Sequence, residues 1–210
     1  LYADARKWLR KGWVDYFTPQ LYWPINQIPQ SFPVLLGWWQ EQNVKKRALW
    51  PGINLGRIPG EKGVDEVINQ IMVSRGMLQG SSGTVHWSAG PLASHDSLSA
   101  ALLDGPYKAK ALIPEMNWLK GETPVAATWS LEKMDKNFII TWQYPRRVDI
   151  QYWVIYNESN GVWNHQILPA SMIRHTLNFE YRTDEVGIQV VDRFGRSSPI
   201  SWQPSVTIKR

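Results

Sequence analysis

Near Pro124 the spacing of apolar residues switches from helical to alternating, so the chain has to fold as two different architectures joined end to end. Upstream of that point, residues 2–11 place Ala5, Trp8 and Leu9 on one helical face and stop at Gly12, a residue suited to a left-handed helix end. Residues 13–17 form a short apolar and aromatic run of the kind a buried parallel strand shows. Ser31 is placed as an N-cap with Pro33 in the first turn, which predicts a helix over 32–42. A second strand is expected over 47–55, interrupted by Pro51 and Gly52, and a helix over 64–78 with Val67, Ile68, Ile71 and Met72 at helical spacing. Residues 83–88 read as a third strand, and Asp96 as the cap of a helix over 98–103 that ends before Gly105-Pro106. Strand followed by helix, three times over, predicts a parallel sheet with right-handed crossovers. Three strands cannot close a barrel, which takes about 250 residues.

Downstream, residues 126–129, 138–142, 152–156, 166–168, 175–179, 186–191 and 206–208 alternate with a period near two, with turns at Asn160-Gly161 and Phe194-Gly195. Seven short strands at this spacing predict a β-sandwich, with Trp142 on the second strand as its core plug and Trp163, just after a turn, exposed. The expected division is 1–116 for the α/β part, 117–123 for a linker and 124–210 for the sandwich.

Thirteen Trp are more than a core needs, because a buried indole N–H wants a partner, and flat sugar rings stack well on exposed indoles. The net charge of +5 is spread thinly, and the short groups Lys45–Arg47 and Arg146–Arg147 do not make a nucleic-acid surface. Without cysteine, disulfides and thiolate metal sites are excluded. No apolar run reaches the roughly 18 residues of a membrane-spanning helix. The first residue is Leu rather than Met, so the chain reads as a piece of a longer polypeptide.

In a (β/α)8 barrel the active site lies at the C-terminal ends of the strands. That rule selects Gln20, Tyr22 and Trp23 after the first strand, Asn54 and Arg57 after the second, and His86, Trp87 and Ser88 after the third. Amides, aromatics, a hydroxyl, an imidazole and a guanidinium suit a polar sugar held by stacking and hydrogen bonds. Glycoside hydrolysis ordinarily needs two carboxylates across the scissile bond, and none stands at these three ends. Asp15 lies early in its strand and Glu61 sits in a loop beyond Arg57. No catalytic residue is therefore assigned, and the acid and base are expected upstream of Leu1. The four His are not at metal-ligand spacing, and there is no glycine-rich phosphate loop or Gly-x-Ser-x-Gly elbow, so neither metal nor cofactor is expected.

The run Gly12-Trp13-Val14-Asp15-Tyr16-Phe17-Thr18-Pro19-Gln20-Leu21-Tyr22-Trp23 resembles the signature GW-[IV]-DY-x-x-PQ-x-YW of the glycosyl-hydrolase-like-10 family of bacterial envelope proteins, often lipoproteins. Leu36-Gly37-Trp38-Trp39, the segment 52–58 and the segment 83–88 resemble that family's later motifs in the same order, with Trp87 in place of the usual Phe. The resemblance covers about residues 1–115. It implies that the three strands are the sixth, seventh and eighth of a (β/α)8 TIM barrel, that the acidic strand-four motif lies outside this chain, and that the substrate is a polysaccharide, with peptidoglycan glycan strands first. It also implies a cell-envelope location, periplasm or outer surface, with a lipid anchor on the parent as in many members of that family. The expected partners are the polysaccharide and the upstream half of the barrel; a barrel piece with open edges is also expected to self-associate. The alternative from the residues themselves is a non-catalytic glycan-binding module. Residues 122–210 resemble a fibronectin type III domain through Ile140-Thr141-Trp142 and the run from Val190 to Ser198; Asp184 stands where that domain has its strand-F tyrosine, so the tyrosine corner is either absent or supplied by Tyr181.

Overall fold

The computed structural model describes residues 2–57, 60–78, 80, 83–134, 137–144, 150–159, 161–177 and 183–206. The chain divides into two compact units, Leu1–Ala109 and Lys110–Arg210. The first is a mixture of helices and short parallel strands, the second a pair of antiparallel sheets.

In the first unit, α1 (Ala5–Lys11) is capped by Asp4, whose carboxylate accepts the Lys7 N–H at 2.9 Å, and ends at Gly12 with φ 68°. Strand β1 (Tyr16–Phe17) pairs in parallel with β2 (Ala48–Leu49), the Gln20–Gly52 bridge continues that ladder, and β3 (Gly52–Asn54) pairs in parallel with β4 (Val85–Trp87). Helices α2 (Phe32–Gln42) and α3 (Gly60–Met77) connect them, and α4 (Ala89–Ser94) and α5 (Asp96–Asp104) follow β4. Alternation then assigns the faces. Leu49 and Ile53 enter the core with Leu36 of α2, Val67 and Ile71 of α3 and Leu98 and Leu102 of α5, and Phe17, the register partner of Leu49, packs against it. The other parity (Tyr16, Trp50, Val85 and Trp87) points away from the helices, and Tyr16, Val85 and Trp87 are 55 %, 41 % and 62 % exposed.

Two local expectations are refined and one element is added. Ser31 occupies the N-cap position of α2, yet its hydroxyl donates to the Ile25 carbonyl at 2.5 Å instead of capping the helix. Asp96 lies in the first turn of α5, with His95 at the cap position. Helix α4 was not foreseen, because its six residues are too short to show a period.

In the second unit, β5 (Thr128–Met134), β6 (Asn137–Gln143) and β9 (Arg174–Leu177) form one sheet in the order β5-β6-β9. The other sheet, ordered β11-β10-β7-β8, is made by β7 (Ile150–Ser159), β8 (Val162–Pro169), β10 (Thr183–Asp192) and β11 (Ser201–Val206). Trp142 lies 2 % exposed between them, 5.6 Å from the Trp153 ring, with its N–H donated to the Met172 carbonyl at 3.0 Å. The last strand begins at Ser201 rather than 206. It lies at the edge of its sheet, a place where a strand tolerates proline. Residues 207–208, Tyr181, Phe179, Asn160 and Arg146–Arg147 lie outside the described residues. The turn after β10 is built around Asp192. Its Oδ1 accepts the N–H groups of Phe194 (2.8 Å) and Arg196 (2.9 Å), and its Oδ2 lies 2.9 Å from the Arg196 Nε. Residues 110–116 run along this unit: the Met116 N–H bonds to the Phe194 carbonyl, and His165 Nε2 lies 3.1 Å from the Lys110 carbonyl.

Candidate functional site

The segment after β1 is pinned to α3. The Ile25 N–H donates to Glu66 Oε1 at 2.7 Å, and the Gln70 amide donates to the Trp23 carbonyl at 3.2 Å and to Glu66 Oε1 at 2.8 Å. Glu66 and Gln70 are four apart, so both project from one helical face towards that segment. Together with the Ser31 bond to Ile25, these contacts hold open a pocket of about 200 Å³ lined by Tyr22, Trp23, Pro24, Gln27, Asn54, Glu66 and Gln70. Asn54 Oδ1 accepts the Gly56 N–H at 2.9 Å, which turns the chain at the end of β3 and fixes the Asn54 side chain.

Of the residues selected from sequence, Tyr22, Trp23 and Asn54 thus meet at one pocket. Trp87 is the register partner of Asn54 and shares its sheet face, 62 % exposed. Gln20 is exposed on that same parity through its bridge to Gly52, and Ser88 is exposed at the start of α4. The Arg57 side chain lies outside the described residues, as does that of Glu61. His86 lies on the other parity. It pairs with Ile53, the core-facing residue of β3, so its ring turns towards the helices. Its Nε2 lies 2.6 Å from the Tyr107 hydroxyl, which is also 2.7 Å from Thr84 Oγ1. Burial pushes the His86 pKa below its ordinary 6.5, and burial pushes the Tyr107 hydroxyl up. The imidazole Nε2 is thus bonded within the unit, while its buried Nδ1 has no hydrogen-bond partner among the described residues.

Glu66 and Gln70 were missed because they lie inside a helix rather than at a strand end; their spacing near the start of the helix that follows the second strand is the signal available in the sequence. A carboxylate, three amides and two aromatic rings suit a polyhydroxylated ligand. One carboxylate does not make the pair that glycoside hydrolysis requires. Among the described residues no cluster of His, Cys, Asp or Glu could hold a metal ion, and no described helix is long and apolar enough to cross a membrane.

No family model matches the chain. It is 35 % identical over 149 residues to the glycosyl hydrolase YngK of Bacillus subtilis (strain 168), covering 65 % of this chain and 28 % of YngK. It is 42 % identical over 40 residues to the glycosyl hydrolase DigH of Escherichia coli (strain K12), covering 19 % of this chain and 9 % of DigH. The chain therefore spans little more than a quarter of the first relative and under a tenth of the second. The first unit holds about half of the 210 residues, so the match to YngK runs on into the second unit. Among solved structures, the spore cortex lytic enzyme SleM of Clostridium perfringens is 12 % identical, with a TM-score of 0.34 over 94 % of this chain and 82 % of that one, a likeness too weak to carry an argument. On the sequence matches, the chain is related, over part of its own length and a smaller part of theirs, to proteins named glycosyl hydrolases.

Proposed function

We propose that the first unit is the C-terminal part of a (β/α)8 barrel belonging to a bacterial cell-envelope glycoside hydrolase, within the glycosyl-hydrolase-like-10 family. The observation that carries this reading is the two-faced sheet. Purely parallel sheets are covered on both sides, whereas here one side meets the helices and the other presents Tyr16, Val85 and Trp87 to solvent. A closed barrel resolves the mismatch by turning that side inward against five further strands. The pocket of Tyr22, Trp23 and Asn54 then opens at the strands' C-terminal ends, where barrel enzymes work. The second unit, with three strands in one sheet and four in the other among the described residues, fits a fibronectin type III-like sandwich acting as a spacer.

The substrate is a polysaccharide, with peptidoglycan glycan strands the leading candidate. This part of the polypeptide contributes binding residues, Gln20, Tyr22, Trp23, Asn54, Trp87 and Ser88 among them, and the catalytic carboxylates come from the strands that precede it. The test compares the 210 residues with the same chain preceded by the rest of the barrel, on purified sacculi, with release of soluble fragments followed by chromatography. The extended protein should solubilise glycan strands and the 210 residues should not. Hydrolysis by the 210 residues alone, or an extended protein that binds sacculi without ever cleaving them, overturns the reading.

A further inference from the structure

We propose that the second unit carries a sugar-binding platform of its own, formed by Trp202, Trp163 and Tyr156 on the outer face of its four-stranded sheet and fitted to a neutral pyranose chain. Strand alternation builds it. Trp153 and Ile155 of β7 turn into the core, so Tyr156 turns outward, and its register partners His165 on β8 and Gly187 on β10 share that face. Gly187 in turn pairs with Trp202 of β11. A Cβ on Gly187 would lie 2.5 Å from the Trp202 ring, so the indole lies directly on the bare backbone and only glycine admits it there. Trp163 stands edge-on to Trp202 with ring centroids 5.3 Å apart, and Tyr156 is tilted against it at 6.1 Å. The rings, with Asn164 and His165, border an open hollow of about 350 Å³, and Trp163 and Trp202 remain 53 % and 45 % exposed.

The lining decides the class of ligand. Among the described residues it contains no Lys, Arg, Asp or Glu, so a phosphate chain or a charged peptide meets no counter-charge within that lining. It contains no aliphatic side chain, so what it offers is flat ring surface with an amide and an imidazole at the rim. A pyranose matches that surface, presenting C–H groups to the ring faces and hydroxyls to the rim and to water. The similarity to a glycosyl hydrolase that runs into this unit points the same way. The site is separate from the pocket of the first unit and does not depend on that pocket's reading.

The test uses the full 210-residue chain with two neutral β-1,4-linked probes, cellohexaose and chitohexaose, titrated calorimetrically. Saturable binding of at least one probe is expected. Trp163→Ala and Trp202→Ala should each weaken it at least about tenfold, the ratio that 1.4 kcal/mol of lost contact produces. Trp163→Phe, which keeps a ring, should stay within about threefold of the original, and Trp13→Ala, an exposed tryptophan of the first unit that lines neither pocket, should leave binding unchanged. Trp163 is exposed enough that its variants decide the matter even where Trp202→Ala misfolds. The proposal is overturned if neither probe binds, if binding survives Trp163→Ala, or if a decaproline peptide binds there while the sugars do not. Loss through Trp23→Ala alone also sinks this platform while leaving the first-unit reading standing.

Discussion

Replacing Glu66 by alanine tests whether the wall of the first-unit pocket hangs on one carboxylate. Its Oε1 takes both the Ile25 N–H at 2.7 Å and the Gln70 amide at 2.8 Å, distances of charge-assisted bonds. A hydrogen bond to a charged group contributes roughly 1.5–3 kcal/mol, and the partial burial of this pair places the Ile25 bond near the lower end, about 2 kcal/mol. With a factor of ten for each 1.4 kcal/mol, the Ile25 amide should open roughly 30-fold more often in Glu66→Ala. Glu66→Gln keeps an acceptor but not the charge; neutral bonds are about half as strong, so the increase should be only about fivefold. Hydrogen–deuterium exchange followed by mass spectrometry on peptides spanning 24–31, at one fixed pH, reads this directly. Peptides from β10 serve as the internal reference, because the change is local. An Ile25 amide exchanging at its original rate in the alanine variant, with the fold intact, would show that the Ser31 bond to the Ile25 carbonyl holds the segment by itself and that Glu66 is a bystander.

Three further outcomes are expected. Burial lowers the folded pKa of His86 below the 6.5 at which the unfolded chain takes up the proton; the first unit should keep its stability above that pH and lose it as pH falls through 6.5 towards the folded value, and thermal melts of His86→Gln should be flatter over that window. Asp192→Ala strands the buried Arg196 and two backbone N–H groups, a loss of about 4 kcal/mol by the cost of breaking a buried pair, and urea unfolding followed by near-ultraviolet circular dichroism should show it, with Asp192→Asn clearly milder because one oxygen still accepts both N–H groups. The 210 residues should associate with rising concentration in light scattering through the face that bears Tyr16 and Trp87, and Trp87→Lys should shift the balance to monomer; a monomer at all concentrations would mean that this face does not seek a cover.

Much of the fold was legible because its signals are local and redundant. The helix over 64–78 shows its core stripe in Val67 and Ile71, and Gly12 marks the end of α1 because a left-handed cap favours glycine. Alternation over 138–142 places Trp142 inside without knowledge of its neighbours. What could not be read depends on pairing. Val85-His86-Trp87 is three residues long, and any of them can face either way. Only the register with Gly52-Ile53-Asn54 sends His86 to the helices and Trp87 to the bare side. The shift of the last strand has the same origin, since Pro204 argues against a strand until the strand is known to lie at an edge.

The candidate site divides along the same line. Tyr22, Trp23 and Asn54 were reachable because the strand-end rule needs only the order of elements. Glu66 and Gln70 were not, because their part depends on where the loop of residues 23–31 folds back, and that is set by the Ile25 N–H and the Trp23 carbonyl, backbone groups carried by every sequence. The outer face of the second unit makes the point more sharply. Trp163 could be picked out as an exposed ring, but its companion Trp202 lies in a segment whose prolines argue for a loop, and the residue that admits it, Gly187, is silent in the sequence. An aromatic platform is thus the joint product of one glycine and two tryptophans on three different strands, 10, 8 and 11 in the order given above. Counting tryptophans suggests that such a surface exists; only the register of the sheet says which of them compose it.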